Sequence, residues 1–143
     1  VGVNVVIASG NEANVVTRVV QGEAIGTFFP ATSSQVESRK RWLLSGTADT
    51  NGVIEIDDGA MEAIRTQEKS LLPAGIQHVR CKYHRGDVGS VAVVGGKKIA
   101  VGITNYDAAD LLSIKGAKST DISNLLGHSY GEEAIHRNNM VVL

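Results

Sequence analysis

The chain has little with which to cross-link, kink or stack. Of its 143 residues one is Cys, two are Pro, and the aromatics make up 4%. A single thiol, Cys81, excludes an internal disulfide framework and fits a reducing, cytoplasmic setting. With so few rings the core has to come from Val, Ile, Leu and Ala, and few bases could be stacked by a nucleic-acid surface. No apolar run approaches the ~20 residues of a membrane-spanning helix, so no membrane partner is expected. The opening VGVNVVIASG has no basic flank and is too short for a signal peptide. The formal net charge is only −1, divided into −3 over residues 1–70 and +2 over residues 71–143. A surplus of that size is far below a strong nucleic-acid footprint. Phosphate-cradling loops are missing as well, since neither G-x-x-x-x-G-K-[ST] nor G-x-G-x-x-G after a strand occurs. GEAIG (22–26) is too sparse for that task, and Gly22 and Gly26 read as a helix end and a strand start.

What is present is ordinary for a globular protein: 43% apolar and 20% charged residues, with 16 Gly for tight turns. VNVVIAS (3–9) is continuously apolar and β-branched, the pattern of a strand buried on both faces of a parallel sheet. Asn14 is positioned to cap a short helix carrying Val15, Val16, Val19 and Val20, with Gly22 past its end. GTFFPA (26–31) predicts a strand, TSSQVES (32–38) a polar loop, RKRWLLS (39–45) a strand and SGTADTNG (45–52) a linker. This β–α–β–β stretch is not a complete domain, because a parallel sheet needs more strands and helices on both faces. Together with the start at Val1 instead of Met, it is what an excised piece is expected to look like.

Further on, VIEID (53–57) predicts a strand, followed by a helix capped by Asp57 or Asp58 and running to about Gln67, with Met61 and Ile64 inward. QHVRCKYH (77–84) alternates, setting Val79, Cys81 and Tyr83 on one face and His78, Arg80, Lys82 and His84 on the other. Gly95–Gly96 predicts a two-residue hairpin turn. Asp107 is placed to cap a helix to about Ile114. Ser119 or Thr120 is placed to cap another that buries Ile122, Leu125 and Leu126 and ends at Gly127. AIHRNNMVVL (134–143) supplies closing strand material.

Three motifs invite chemistry. GHSYG (127–131) has the spacing of a nucleophile elbow around Ser129, but that device needs a strand before the Ser, a helix after it, and distant Asp/Glu and His partners. Here a helical segment precedes it and Glu132, Glu133 and His136 are too near, so a helix cap and turn are expected. His78, Cys81 and His84 have a zinc-like spacing, yet strand alternation sends the two His and the Cys to opposite faces. Arg85-Gly86-Asp87 reads as an inter-strand turn. A basic surface for a phosphate backbone is offered by RKR (39–41) together with Arg80, Lys82, Lys97 and Lys98, the four candidate RNA contacts.

Taken together, LLPAGI (71–76), HRGDV (84–88), IAVGITNYDAADLLSIKG (99–116), LLGHSYGEEAIH (125–136) and RNNMVVL (137–143) resemble the PUA domain that closes bacterial glutamate 5-kinase. GVNVVIASG (2–10), GEAIGTFF (22–29), SRKRWLL (38–44) and GVIEIDDGAMEAI (52–64) resemble the end of that family's amino acid kinase domain and its continuation. The resemblance implies a mixed α/β and β fold. An incomplete α/β remnant of the kinase domain is expected over 1–47, a connecting strand–helix segment over 48–70, and a PUA-type β pseudo-barrel with short helices over 71–143. It implies a parent enzyme that transfers the γ-phosphoryl of ATP to the side-chain carboxylate of L-glutamate, with Mg²⁺, as the first step toward proline. The family's lysine- and glycine-containing N-terminal motif, its Asp-rich region and its GGM-x-TK nucleotide motif are all absent here. No catalytic, cofactor-binding or metal residue is therefore assigned, and the segment alone is expected to be inactive. Glutamate and ATP are expected to engage through the missing core, with self-association of this chain and an RNA contact as the lesser reading. A free-standing PUA-type RNA- or protein-binding module is the alternative.

Overall fold

The computed structural model describes residues 2–32, 34–45, 52–80 and 82–143. The linker expected over 45–52 lies almost wholly outside the described residues, as does Cys81. The chain divides into two compact units, Val1–Ser38 and Arg39–Leu143.

In the first unit β1 (Val5–Ile7) pairs with β2 (Thr27–Phe29), Val5 opposite Phe29 and Ile7 opposite Thr27. The pairing is antiparallel and every residue of both strands is exposed, not buried in a parallel sheet as the apolar run predicts. Two strands alone have no layer to cover their faces. Between them α1 (Val15–Val20) follows Asn14, whose backbone is left-handed at φ 54° and whose side chain makes no cap bond. Val16 and Val20 are exposed, not packed on a sheet. The segment is held by Arg18, whose guanidinium reaches Glu12 at 3.0 Å and Glu23 at 2.6 Å. The hydrogen bond from Arg18 holds the Glu23 carboxyl below its ordinary value.

α2 (Gln35–Leu44) occupies the stretch expected to be loop and then strand. The local reason is a reciprocal cap. The Ser34 hydroxyl accepts the Glu37 N–H and the Glu37 carboxylate accepts the Ser34 N–H, each at 3.1 Å. Gln, Glu, Lys, Arg and Leu are good helix formers, and the basic cluster sits on the helix without needing strand alternation.

The second unit is built on a sheet of five strands, among the described residues, in the order β4-β3-β5-β6-β7. These are β3 (Gly52–Ile56), β4 (Ile76–Arg80), β5 (Val88–Val93), β6 (Lys98–Ile103) and β7 (Met140–Val142). β3 runs parallel to β5 and antiparallel to β4, and the remaining pairs are antiparallel. The parallel pair requires a crossover, and α3 (Asp58–Gln67) with β4 provides it. Asp57 is the cap of α3, its Oδ1 accepting the Ala60 N–H at 2.7 Å. Ile64 is buried as expected and Met61 partly so. β3 thus lies between β4 and β5 inside the sheet, with α3 part of the sheet's cover. The segment expected as a connector over 48–70 belongs to the sheet domain, and this compact unit begins at Arg39, not at 71.

One face of the sheet carries the main core, in which Ile54, Val91 and Ala100 meet Ile64, Tyr106, Leu111, Ile122 and Ile135. The other face is smaller, with Val88, Val101 and Val141 closed by Leu43 of α2. α4 (Ala108–Ile114) and α5 (Ile122–Leu126) lie where the sequence predicts them, but their starts differ. Asp107 makes no cap bond, and Ser119 belongs to a 3-10 turn and donates to the Glu132 carbonyl at 3.2 Å. Leu125 is exposed, not buried. The β5–β6 hairpin uses a wider turn than Gly–Gly, because only Gly95 has positive φ and the register shifts between Val91 and Ala92. Leu71 and Ile135 bridge as an isolated antiparallel pair. Among the described residues no helix is long and apolar enough to cross a membrane.

Candidate functional site

Three of the motif loops meet at one end of the second unit. The HRGDV turn closes on itself, with the Asp87 carboxylate accepting the His84 N–H at 2.9 Å and Gly86 at φ 92°. Thr104, buried, clips the turn to β6: its N–H donates to the Asp87 carbonyl at 3.0 Å, and its carbonyl accepts the Gly86 N–H at 2.9 Å. Asp107 accepts the Arg85 N–H at 2.5 Å, which is why it leaves the start of α4 uncapped.

The GHSYG loop is fastened by the wholly buried Tyr106. Its hydroxyl donates to the Gly131 carbonyl at 2.5 Å and accepts the Tyr130 N–H at 2.9 Å. Gly127 ends α5 at φ 75°. The Ser129 hydroxyl lies 3.3 Å from the Tyr106 hydroxyl, with no imidazole among its hydrogen-bond partners in the described residues. The His128 ring instead pairs with Asp110 at 3.1 Å, and His136 accepts from the Asn138 N–H. A Ser that follows a helix and has no base cannot be activated as a nucleophile. This is the expected turn. Its exposed side presents Tyr130, with the Arg85 guanidinium 3.9 Å from its ring centroid and the His128 ring 5.1 Å away. No sequence signal joins these residues, since they come from separate loops.

The four expected RNA contacts are not one patch. Arg80 ends β4 opposite Val53, and its guanidinium is held 3.0 Å from the nearly buried carboxylate of Glu55. Lys98 opens β6 opposite Ala92, on the far side of β3 and β5 and at the other end of the ladder. Three strand spacings alone put them roughly 14 Å apart. Lys97 lies in the turn beside Lys98, and Lys82 follows Arg80, both exposed. Of the RKR cluster, Arg39 donates to the Asn139 side chain. β4 ends at Arg80 and Lys82–His84 are not strand, so the alternation expected up to His84 does not hold there, although Tyr83 is buried; Cys81 lies outside the described residues. Burial pushes the Tyr83 phenol well above its ordinary value, and its hydroxyl has no hydrogen-bond partner among the described residues. Among the described residues no three His, Cys, Asp or Glu side chains are grouped to hold a metal ion.

Comparison with known proteins matches residues 52–126 to the PUA domain model. The chain is 44% identical to glutamate 5-kinase of Herpetosiphon aurantiacus over 140 residues, 98% of this chain and 38% of that protein. It is 46% identical to glutamate 5-kinase of Haemophilus influenzae strain PittGG over 143 residues, 99% of this chain and again 38% of that protein. The chain therefore spans well under half the length of the curated relatives it matches. Among solved structures it is similar to a PUA domain from Aeropyrum pernix K1, with a TM-score of 0.45, 21% identity and cover of 61% of this chain and 41% of that one. A conserved PUA domain protein from Thermoplasma acidophilum gives 0.44, 18%, 83% and 59%.

Proposed function

The chain belongs to the PUA domain family, and on that premise we propose that it serves as the accessory C-terminal region of a glutamate 5-kinase, without phosphoryl-transfer chemistry of its own. The observation that supports this reading best is its homology to those kinases through nearly its whole length. The parent reaction, ATP and L-glutamate to ADP and L-glutamyl 5-phosphate, needs a cradle for phosphates, a Mg²⁺ site and a cation for the developing charge. In this reading Mg²⁺ and ATP are held outside the chain: its sequence has no phosphate loop, so no step is routed through it. In this reading the exposed apolar strands β1 and β2 are covered by the part of the kinase that the chain does not span. In isolation they are the surface through which the chain self-associates.

Two measurements test it. Pure 143-residue chain, incubated with ATP, Mg²⁺ and glutamate, is expected to release no glutamate-dependent ADP, whereas a kinase that includes this region is active. Release by the short chain overturns the proposal. Light scattering is expected to show a mass above that of a monomer, and a strictly monomeric chain counts against the role given to β1 and β2.

A second reading, RNA contact through Arg80, Lys82, Lys97 and Lys98, is favoured only by the exposed Lys82, Lys97 and Lys98 and weakened by their spread. Anisotropy of labelled RNA would rise at low salt and collapse as salt is added. No rise at low salt removes this reading.

A further inference from the structure

The second unit contains a cleft of about 380 Å³ that no part of the proposed function uses. Its volume falls within the range of small-molecule sites. The cleft follows the free edge of β7, where Met140 and Val141 line it with apolar surface. Its rim collects charge from three places: Lys40 on α2, Glu68 and Lys69 just past α3, and Arg137 in the 3-10 turn before β7. Glu68 is left-handed at φ 50°, the turn that brings these two neighbours to the rim. The Arg137 N–H is tied to the Ser70 hydroxyl at 3.0 Å, and Arg39 ties α2 to Asn139. Helix and turn are thus fixed to each other.

Three cations face one carboxylate, and none of the four is in an ion pair among the described residues. Unpaired like charges around one concavity repel one another and raise its affinity for an anion. The edge strand adds a donor. The Leu143 N–H turns inward to the Ile99 carbonyl at 2.8 Å, so ladder alternation turns the Val142 N–H outward, along the open edge. β7 has only three residues, too short an edge to template an added strand.

We propose that this cleft binds a small organic dianion, a phosphate monoester or a dicarboxylate. Its charged end meets Lys40, Lys69, Arg137 and the Val142 N–H, and its carbon skeleton rests on the exposed Val142 side chain and on Met140 behind it. A net cleft charge of about +2 selects a dianion over a monoanion, and the apolar floor selects an organic ligand over inorganic phosphate.

The test is a titration of the ¹⁵N-labelled 143-residue chain in phosphate-free, low-salt buffer at neutral pH. Phenyl phosphate and phenylmalonate are the two dianion arms, and benzoate and inorganic phosphate are the controls. The amides of Lys69, Arg137 and Val142 are expected to shift and saturate with at least one dianion, and which one identifies its source. Benzoate and inorganic phosphate are expected to bind at least several-fold more weakly. Arg137→Gln should weaken binding about fivefold, the size of one exposed charge pair, and Glu68→Gln should tighten it by a similar factor. Shifts that never saturate, equal binding of benzoate, or affinities unmoved by both variants overturn the proposal.

Discussion

Tyr106 holds Tyr130 by its backbone: the buried phenol accepts the Tyr130 N–H at 2.9 Å while the two rings sit 5.5 Å apart, tilted by 50°. The same hydroxyl donates to Gly131 at 2.5 Å, so one oxygen fixes both the position of the GHSYG loop and the outward aim of Tyr130. Tyr106→Phe removes both bonds and, among the described residues, leaves the Gly131 carbonyl only its contact with the Ser129 hydroxyl at 3.4 Å. We expect a loss of about 1–3 kcal/mol in urea denaturation. Amide exchange at Tyr130 and Gly131 should quicken more than at Val91, because the loop loses its anchor while the sheet keeps its own.

Tyr83 predicts an alkaline limit. Its phenol is neutral when protonated, and burial raises its folded-state value above the roughly 10 of the unfolded chain. Above that pH the unfolded state releases the proton and the folded state does not. Stability is then complete below about pH 10 and declines as pH rises beyond it. Tyr83→Phe should flatten that decline. It also removes a buried hydroxyl that has no partner among the described residues, so at neutral pH it should be neutral or slightly stabilising. Urea midpoints of both proteins at pH 8 and pH 11 check this, and a parallel decline in the two would refute it.

Gly102 marks a close approach on β6. A methyl there would stand 2.6 Å from the Ile135 side chain and 2.9 Å from the Asn139 carbonyl, one in the main core and the other beside β7. Gly102→Ala should cost about 1–3 kcal/mol by overpacking, read from the denaturation midpoint.

Asp57→Ala removes the cap of α3 and should cost about 1 kcal/mol. Asp57→Asn, which keeps an acceptor, should recover most of it. A loss shared equally by the two variants would mean that the side-chain bond to Ala60 is not what Asp57 contributes.

α3 was legible in the sequence because its cap, its apolar spacing and its length agree. The strands around Ile54, Val91 and Val101 announced themselves by β-branched runs between turn residues. α2 was misread because its inward-facing signal is nearly one residue, Leu43, amid basic side chains. The S-x-x-E cap at Ser34 and Glu37 was there to be read and outweighs that weak pattern. Asp107 and Ser119 show the opposite error. Both occupy cap positions and both spend their side chains on another loop, a choice made by tertiary neighbours. The Tyr106 anchor, the Arg85–Tyr130 stack and the cleft of Lys40, Lys69 and Arg137 each draw on segments far apart in the chain, so no local window reveals them.

The strand order also dictates how the sheet can be assembled as the chain emerges from a ribosome. β3 comes first; β4 adds to one flank, β5 to the other, β6 to β5 and β7 to β6. Every newcomer meets a rim already laid down, and none has to be wedged between two strands that have already joined. A nascent chain can therefore grow this sheet outward in the order of its codons, with every strand after β3 finding its partner already made.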